Sequence, residues 1–99
     1  MAVTSQKPFR GRSLTTPAFW ECFGRLSVED QDQAREAHRQ WLADPRLPGL
    51  RFKKLHTRRP IYSVRVSLNV RALGVYEGDD MIWFWIGPHA EYEVLLKHL

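Results

Sequence analysis

Two periods of apolar spacing divide the chain. Up to about residue 43 the hydrophobic positions recur as in a helix, and beyond Gly49 they alternate as in a strand. Thr16-Pro17 reads as a helix start, with a hydroxyl N-cap before proline at the first helical position. Phe19, Cys22, Phe23 and Leu26 then follow at i, i+3, i+4 and i+7, one apolar stripe, with Gly24 keeping the helix short. Ser27-Val-Glu-Asp30 reads as a capping box with Asp in the place of Glu. It opens a helix expected to run to about Ala43, with Ala34, Ala37, Trp41 and Leu42 on its apolar side and His38 within that stripe. Pro45 and Pro48-Gly49 close it. The natural reading is two antiparallel helices joined by a short turn.

After Gly49, Leu50 to His56 is expected as a short strand. From Ile61 to Leu68, Tyr62, Val64, Val66 and Leu68 face one way, and Ser63, Arg65 and Ser67 the other. Val70 to Tyr76 forms the next strand, Glu77-Gly-Asp-Asp80 is a hairpin signal, and Met81 to Ile86 forms another. Gly87-Pro88 stops it, and His89 starts a short terminal helix. The pattern predicts an α+β fold: two N-terminal helices on one face of an antiparallel sheet of three to four strands, with a short C-terminal helix. Residues 1–12 are expected as a loose leader, apart from a poorly alternating strand candidate over Phe9 to Thr15. The sheet face opposite the helices is expected to be open and to carry Arg65 and Arg71. The tryptophans Trp83 and Trp85, beside that face, suit stacking on bases, but they alternate with Ile82, Phe84 and Ile86, so one of the two sets is core, and if it is the tryptophans no stacking platform remains.

At 99 residues and 43% hydrophobic content, with twelve aromatics, the chain supports one small core and a single domain over 1–99. No apolar run approaches the roughly 20 residues of a membrane span, and the N-terminus has no apolar signal core, so a soluble cytoplasmic protein is expected with no membrane partner. The single Cys22 excludes an intrachain disulfide and offers no metal framework. Charge changes the picture more. The net value of +4 conceals an uneven distribution: from Pro45 to Tyr76 there are eight Lys or Arg residues (Arg46, Arg51, Lys53, Lys54, Arg58, Arg59, Arg65 and Arg71) and no acid, while all eleven acids lie outside. A one-sign field of this kind suits a polyanion. It is followed by aromatic residues and a histidine, which suggests RNA.

The order of these segments resembles the RelE/ParE superfamily of toxins from type II toxin–antitoxin systems. The residues carrying the resemblance are Leu50-Arg-Phe-Lys-Lys-Leu55, Ile61-Tyr-Ser-Val-Arg-Val66, Val70-Arg-Ala-Leu73, and Ile82-Trp-Phe-Trp-Ile-Gly87 with His89. They match a family sequence of basic strand, Tyr-x-x-Arg strand, Tyr-Arg strand, and apolar strand ending in Gly and a His or Arg. The resemblance covers roughly residues 14 to 97. It implies a RelE-like fold and a cognate antitoxin as partner. Its RelE branch cleaves mRNA, usually at the ribosome, whereas its ParE branch inhibits DNA gyrase and is not a nuclease. A basic RNA-binding domain without activity is the remaining alternative. Arg65 matches a basic residue of the RelE active-site strand, and Arg71 the arginine of the Tyr-Arg strand, where Val70 replaces the tyrosine. Many relatives carry a tyrosine six residues beyond the position of His89; this chain has Leu95 there. With Glu91, the end of the chain is closer to the branch with Gly-x-His-x-Asp/Glu, similar to YafQ, in which the histidine is catalytic.

Metal-free RNA cleavage needs a base for the ribose 2′-OH, positive charge at the crowded phosphorane, and an acid for the leaving 5′-oxygen. Arg65 and Arg71 suit the second role, since a guanidinium stays charged and its planar fork matches phosphate. His89 is the foremost acid–base candidate, with an unperturbed pKa near 6.5. Tyr92, at i+3 from His89, can lie beside it, or can dock on the core with Leu95, Leu96 and Leu99. Glu93 at i+4 can pair with His89. Lys53, Lys54, His56, Arg58 and Arg59 are candidates for binding RNA phosphates. His38 reads as a packed core histidine and His98 as an end residue. This chemistry calls for neither metal nor cofactor.

Overall fold

The structure is a computed structural model that describes residues 7–99; the first half of the expected leader, residues 1–6, lies outside the described residues. In chain order the elements are β1 (Ser13–Thr15), α1 (Pro17–Gly24), α2 (Val28–Ala43), a 3-10 turn (Pro48–Leu50), β2 (Lys53–Lys54), β3 (Ile61–Arg65), β4 (Val70–Glu77), β5 (Asp80–Pro88) and α3 (His89–Leu96). The strands form one sheet in the order β1-β5-β4-β3-β2. Its pairs are antiparallel except β1 with β5, which run parallel. The α+β class is as the periodicity predicts. The sheet has five strands rather than three to four, and is mixed rather than antiparallel, because the segment before Thr16 adds a parallel edge.

Both helix starts follow from their caps. Thr16 Oγ1 accepts from the Phe19 N–H with Pro17 just inside the helix, and Ser27 Oγ accepts from the Asp30 N–H. Glu29 and Asp30 sit in the first turn of α2, where the helix dipole favours acids. The segment before β1 is not loose over residues 9–12. The Phe9 N–H donates to the Leu42 carbonyl at 2.9 Å, and the Phe9 ring lies 4.3 Å from that of Trp41. Arg12 grips Asp80 through its backbone N–H at 2.9 Å and its guanidinium at 2.7 Å. That ion pair holds the Asp80 carboxyl below its ordinary pKa.

Contrary to expectation, helices cover both faces of the sheet. Phe19 of α1 and Ala34, Ala37 and Trp41 of α2 pack with Val64, Val70, Ala72, Met81, Trp83 and Ile86 on one face. On the other, Tyr92 of α3 packs with Leu55, Ile61, Leu73 and Val75, with Leu95 and Leu96 beside them. The second cluster exists because Ile61, Leu73 and Val75 occupy the strand parity opposite the first, and the stripe of α3 has nowhere else to be buried. Ser63, expected in solvent, is 3% exposed beneath this layer.

Three local features depart from simple alternation. The strand expected over Leu50 to His56 shrinks to two residues, because Pro48–Leu50 coils into a 3-10 turn and Arg51 follows in the left-handed region at φ 46°. The strand expected to reach Leu68 ends at Arg65, and the chain turns back with the Val66 N–H donating to the Val70 carbonyl at 3.0 Å. In β5, Leu73 faces Trp85 while the next residue, Gly74, faces Trp83, so Phe84 is an extra residue in a bulge. Hence Trp83 lies in the helix-hairpin core, while Phe84 and Trp85 both pack beside the α3 cluster. Neither alternating set of β5 is therefore the whole core. The β4–β5 hairpin closes through Gly78 at φ 60°, the first central position of a two-residue turn, where glycine alone is unstrained.

Candidate active site and nucleic-acid interface

The sheet register assembles the basic residues. Arg65 on β3 lies directly opposite Arg71 on β4, and Arg71 lies opposite Gly87 on β5. Lys53 faces Ser63, and Arg51, in the left-handed turn just before β2, is near enough for its charge to be felt at Arg71. Cross-strand partners project to the same face of a sheet, and like charges so placed repel. No salt bridge to Arg51, Arg65 or Arg71 occurs among the described residues. The row is thus an uncompensated positive line on the α3 face. The field is felt at Arg71: burial, then the charges of Arg65 and Arg51, push its guanidinium below the ordinary range, while Tyr92 and Glu93 oppose them.

Arg71 is also anchored. Its Nη1 donates to the carbonyl of Ser67 at 2.7 Å, with Val70 and Leu68 carbonyls at 3.2 and 3.3 Å. Nε and Nη2 bond to nothing among the described residues, so a prealigned half of the fork remains for a ligand. His89, the first residue of α3, follows Pro88, which pairs with Val70 beside Arg71. Its backbone N–H donates to the Asn69 carbonyl at 2.7 Å, tying the helix start to the β3–β4 turn. The imidazole is 42% exposed, with Nε2 3.4 Å from Glu93 Oε1, and its ring lies 5.8 Å from that of Tyr92. Tyr92 itself is 5% exposed. It packs in the α3 core and borders Arg71, so it is placed to support the site from beneath.

The second group of candidates is not brought together. Lys53 shares the face of Ser63 and so of the arginine row. Lys54 pairs with Tyr62 and points to the other face, its ammonium 3.4 Å from the carbonyls of Leu55 and Thr57. His56, Arg58 and Arg59 lie in the β2–β3 loop, at the Ile61 end of β3. About 13 Å of strand separates that end from Arg65. Arg51 stands close to the row although it was not singled out for it; it lies outside the strand ladder, in the left-handed turn before β2.

His38 is exposed at the rim of the hairpin rather than packed in the core. Its Nε2 lies 2.8 Å from Ser13 Oγ, and that oxygen accepts from Trp83 Nε1 at 2.9 Å. Neighbouring atoms crowd the imidazole enough to lower its pKa from 6.5. It borders an apolar cavity of about 310 Å³ between the hairpin and the sheet. That cavity is lined by none of Arg65, Arg71, His89 or Tyr92. Among the described residues, no group of three or more His, Cys, Asp or Glu could hold a metal ion. No helix among them is long and apolar enough to cross a membrane.

A five-stranded mixed sheet with two helices on one face and a short C-terminal helix on the other is a RelE-like toxin fold. The family model described as the ParE-like toxin domain matches residues 30–94, and the chain belongs to that family. Solved structures share the fold at low identity. The RelE toxin in the RelB–RelE antitoxin–toxin complex of Methanococcus jannaschii superposes with a TM-score of 0.69 at 14% identity, over 83% of this chain and 96% of that one. The isolated RelE toxin of E. coli gives 0.62 at 13%, over 91% and 100%. YafQ of E. coli gives 0.63 at 10%, over 84% and 98%. No curated protein sequence matches the chain.

Proposed function

We propose that the chain is the toxin of a toxin–antitoxin pair and acts as an endoribonuclease on mRNA at the ribosome, stopping translation. The observation that carries this reading is the unpaired row Arg65–Arg71, with Arg51 close to it, lying next to an exposed His89. Structural proteins seldom align like charges across strands without acids between them; a bound phosphate supplies the missing charge.

In the reaction, the ribose 2′-oxygen attacks the adjacent phosphorus and the P–O5′ bond breaks. The products are a 2′,3′-cyclic phosphate and a 5′-hydroxyl. Arg71, through its free Nε and Nη2, and Arg65 hold the non-bridging oxygens and meet the extra charge of the phosphorane. His89 exchanges the proton, taking it from the 2′-OH or giving it to the leaving 5′-oxygen. Tyr92 fixes the His89 and Arg71 side chains from below. Lys53 adds charge along the same face; His56, Arg58 and Arg59, more distant, dock flanking RNA or ribosomal RNA. The cognate antitoxin is the expected protein partner, and the structure of RelE with RelB supports that expectation.

The test replaces the nucleotide 5′ to the cleavage site of a ribosome-bound mRNA with its 2′-deoxy form. Cleavage is expected to disappear, and its persistence would rule out this mechanism. The ParE-like family description favours one other reading, a toxin that inhibits DNA gyrase without cutting RNA. It predicts intact mRNA and altered plasmid supercoiling after induction.

A further inference from the structure

The bulge in β5 turns Trp85 onto the face that carries the arginine row. Its indole lies over Gly87. A Cβ at Gly87 would fall 2.7 Å from Trp85 Cζ2 and 3.0 Å from Cη2, closer than real side-chain contacts allow. Gly87 is the register partner of Arg71. Arg65 and Arg71 therefore line up on two strands, and on the third the row ends at Gly87, with the Trp85 ring beside it. The ring is half-buried. Among the described residues no second aromatic ring or cation stacks on it. Strand β1 ends opposite Trp83, so no strand pairs with the outer edge of β5 at Trp85, and β1 leads there into α1, which packs against β5. The other aromatics near the site are committed: Trp83 is 6% exposed on the opposite face, and Tyr92 is 5% exposed under α3.

Building on the ribonuclease reading, we propose that Trp85 is the stacking platform for a nucleobase next to the scissile phosphate, favouring purines for their larger ring face. Single-strand binding sites combine a charged track for the backbone with aromatic rings for the bases. Here the two lie on adjacent strands, about 4.8 Å apart. Gly87 is the residue that leaves room for the ring, so its role is to seat Trp85 rather than to bend the chain. The ring is held before RNA arrives, which lowers the entropy cost of stacking.

The first experiment reads the indole N–H signals of the intact protein by NMR while a non-cleavable single-stranded RNA, 2′-deoxy at the cleavage position, is added. The Trp85 signal is expected to shift, and the Trp83 signal to stay. The second compares cleavage by wild type, Trp85→Leu and Trp85→Tyr. Loss of one base stack is expected to lower kcat/KM about 10- to 100-fold in the leucine variant, mostly through KM, with substantial recovery in the tyrosine variant. The leucine effect should vanish on a substrate abasic at the stacked position. An unmoved Trp85 signal together with unchanged kcat/KM in Trp85→Leu overturns the proposal and leaves the nuclease reading intact. A shifted Trp85 signal without any cleavage sinks the nuclease reading and leaves Trp85 as a base-binding residue.

Discussion

Arg71 combines two functions in one side chain. Nη1 is spent on the carbonyls of the β3–β4 turn, which fixes the plane of the guanidinium, while Nε and Nη2 remain available. A lysine cannot do both, because its ammonium has no fork. His38 illustrates the reverse, a titratable group kept neutral. Its folded pKa lies below the ordinary 6.5, so it favours the folded state fully above that value, and the benefit is lost as pH falls through it and on towards the lowered folded value. Thermal stability is therefore expected to decline between pH 7 and pH 5, and the decline should be shallower in His38→Gln; equal slopes in the two melting profiles would contradict this. Arg65, Arg71 and His89 can all be singled out from the sequence, because basic residues in an acid-free run and a histidine after a strand stop are local signals. Arg51 and the choice of Trp85 over Trp83 cannot. The first depends on a left-handed turn before β2, and the second on a bulge that moves one residue out of alternation.

At the scale of elements, the helix caps and the β4–β5 turn are legible because each depends on a few adjacent residues. The parallel β1–β5 pair and the second core are not, since both arise from contacts distant in the chain. Gly74 shows how closely β4 and β5 fit. A Cβ there would meet Met81 Sδ at 2.5 Å and Trp83 Cε3 at 2.8 Å, in the middle of the hairpin core. Gly74→Ala is expected to destabilise the protein by about 1–3 kcal/mol through overpacking, measured by chemical denaturation. Gly49→Ala, with open space around its Cβ, serves as the control and should stay close to wild type. The bulge at Phe84 acts at this scale too: it lets one strand supply Trp83 to the hairpin core and Trp85 to the opposite face.

Across the whole molecule, charge is unevenly shared between elements. Helix α2 carries Glu29, Asp30, Asp32 and Glu36, partly paired with its own Arg35 and Arg39. The uncompensated arginines line the far side of the sheet. On the ribonuclease reading, a polyanion is expected to be steered to the arginine row and away from the acidic helix. With three arginines on phosphates, log affinity for single-stranded RNA is expected to fall with log salt at a slope of about −2. Arg65→Ala should flatten that slope by roughly 0.7, whereas Asp32→Asn on α2 should leave it unchanged.

The central claim, that Arg71 and His89 cut RNA, is tested most directly by primer extension on a reporter mRNA after induction of wild type, Arg71→Ala and His89→Ala at matched protein levels. New 5′ ends are expected with wild type and not with either variant. Identical ends from all three would contradict the site, and growth arrest by wild type with intact mRNA would contradict the ribonuclease activity itself.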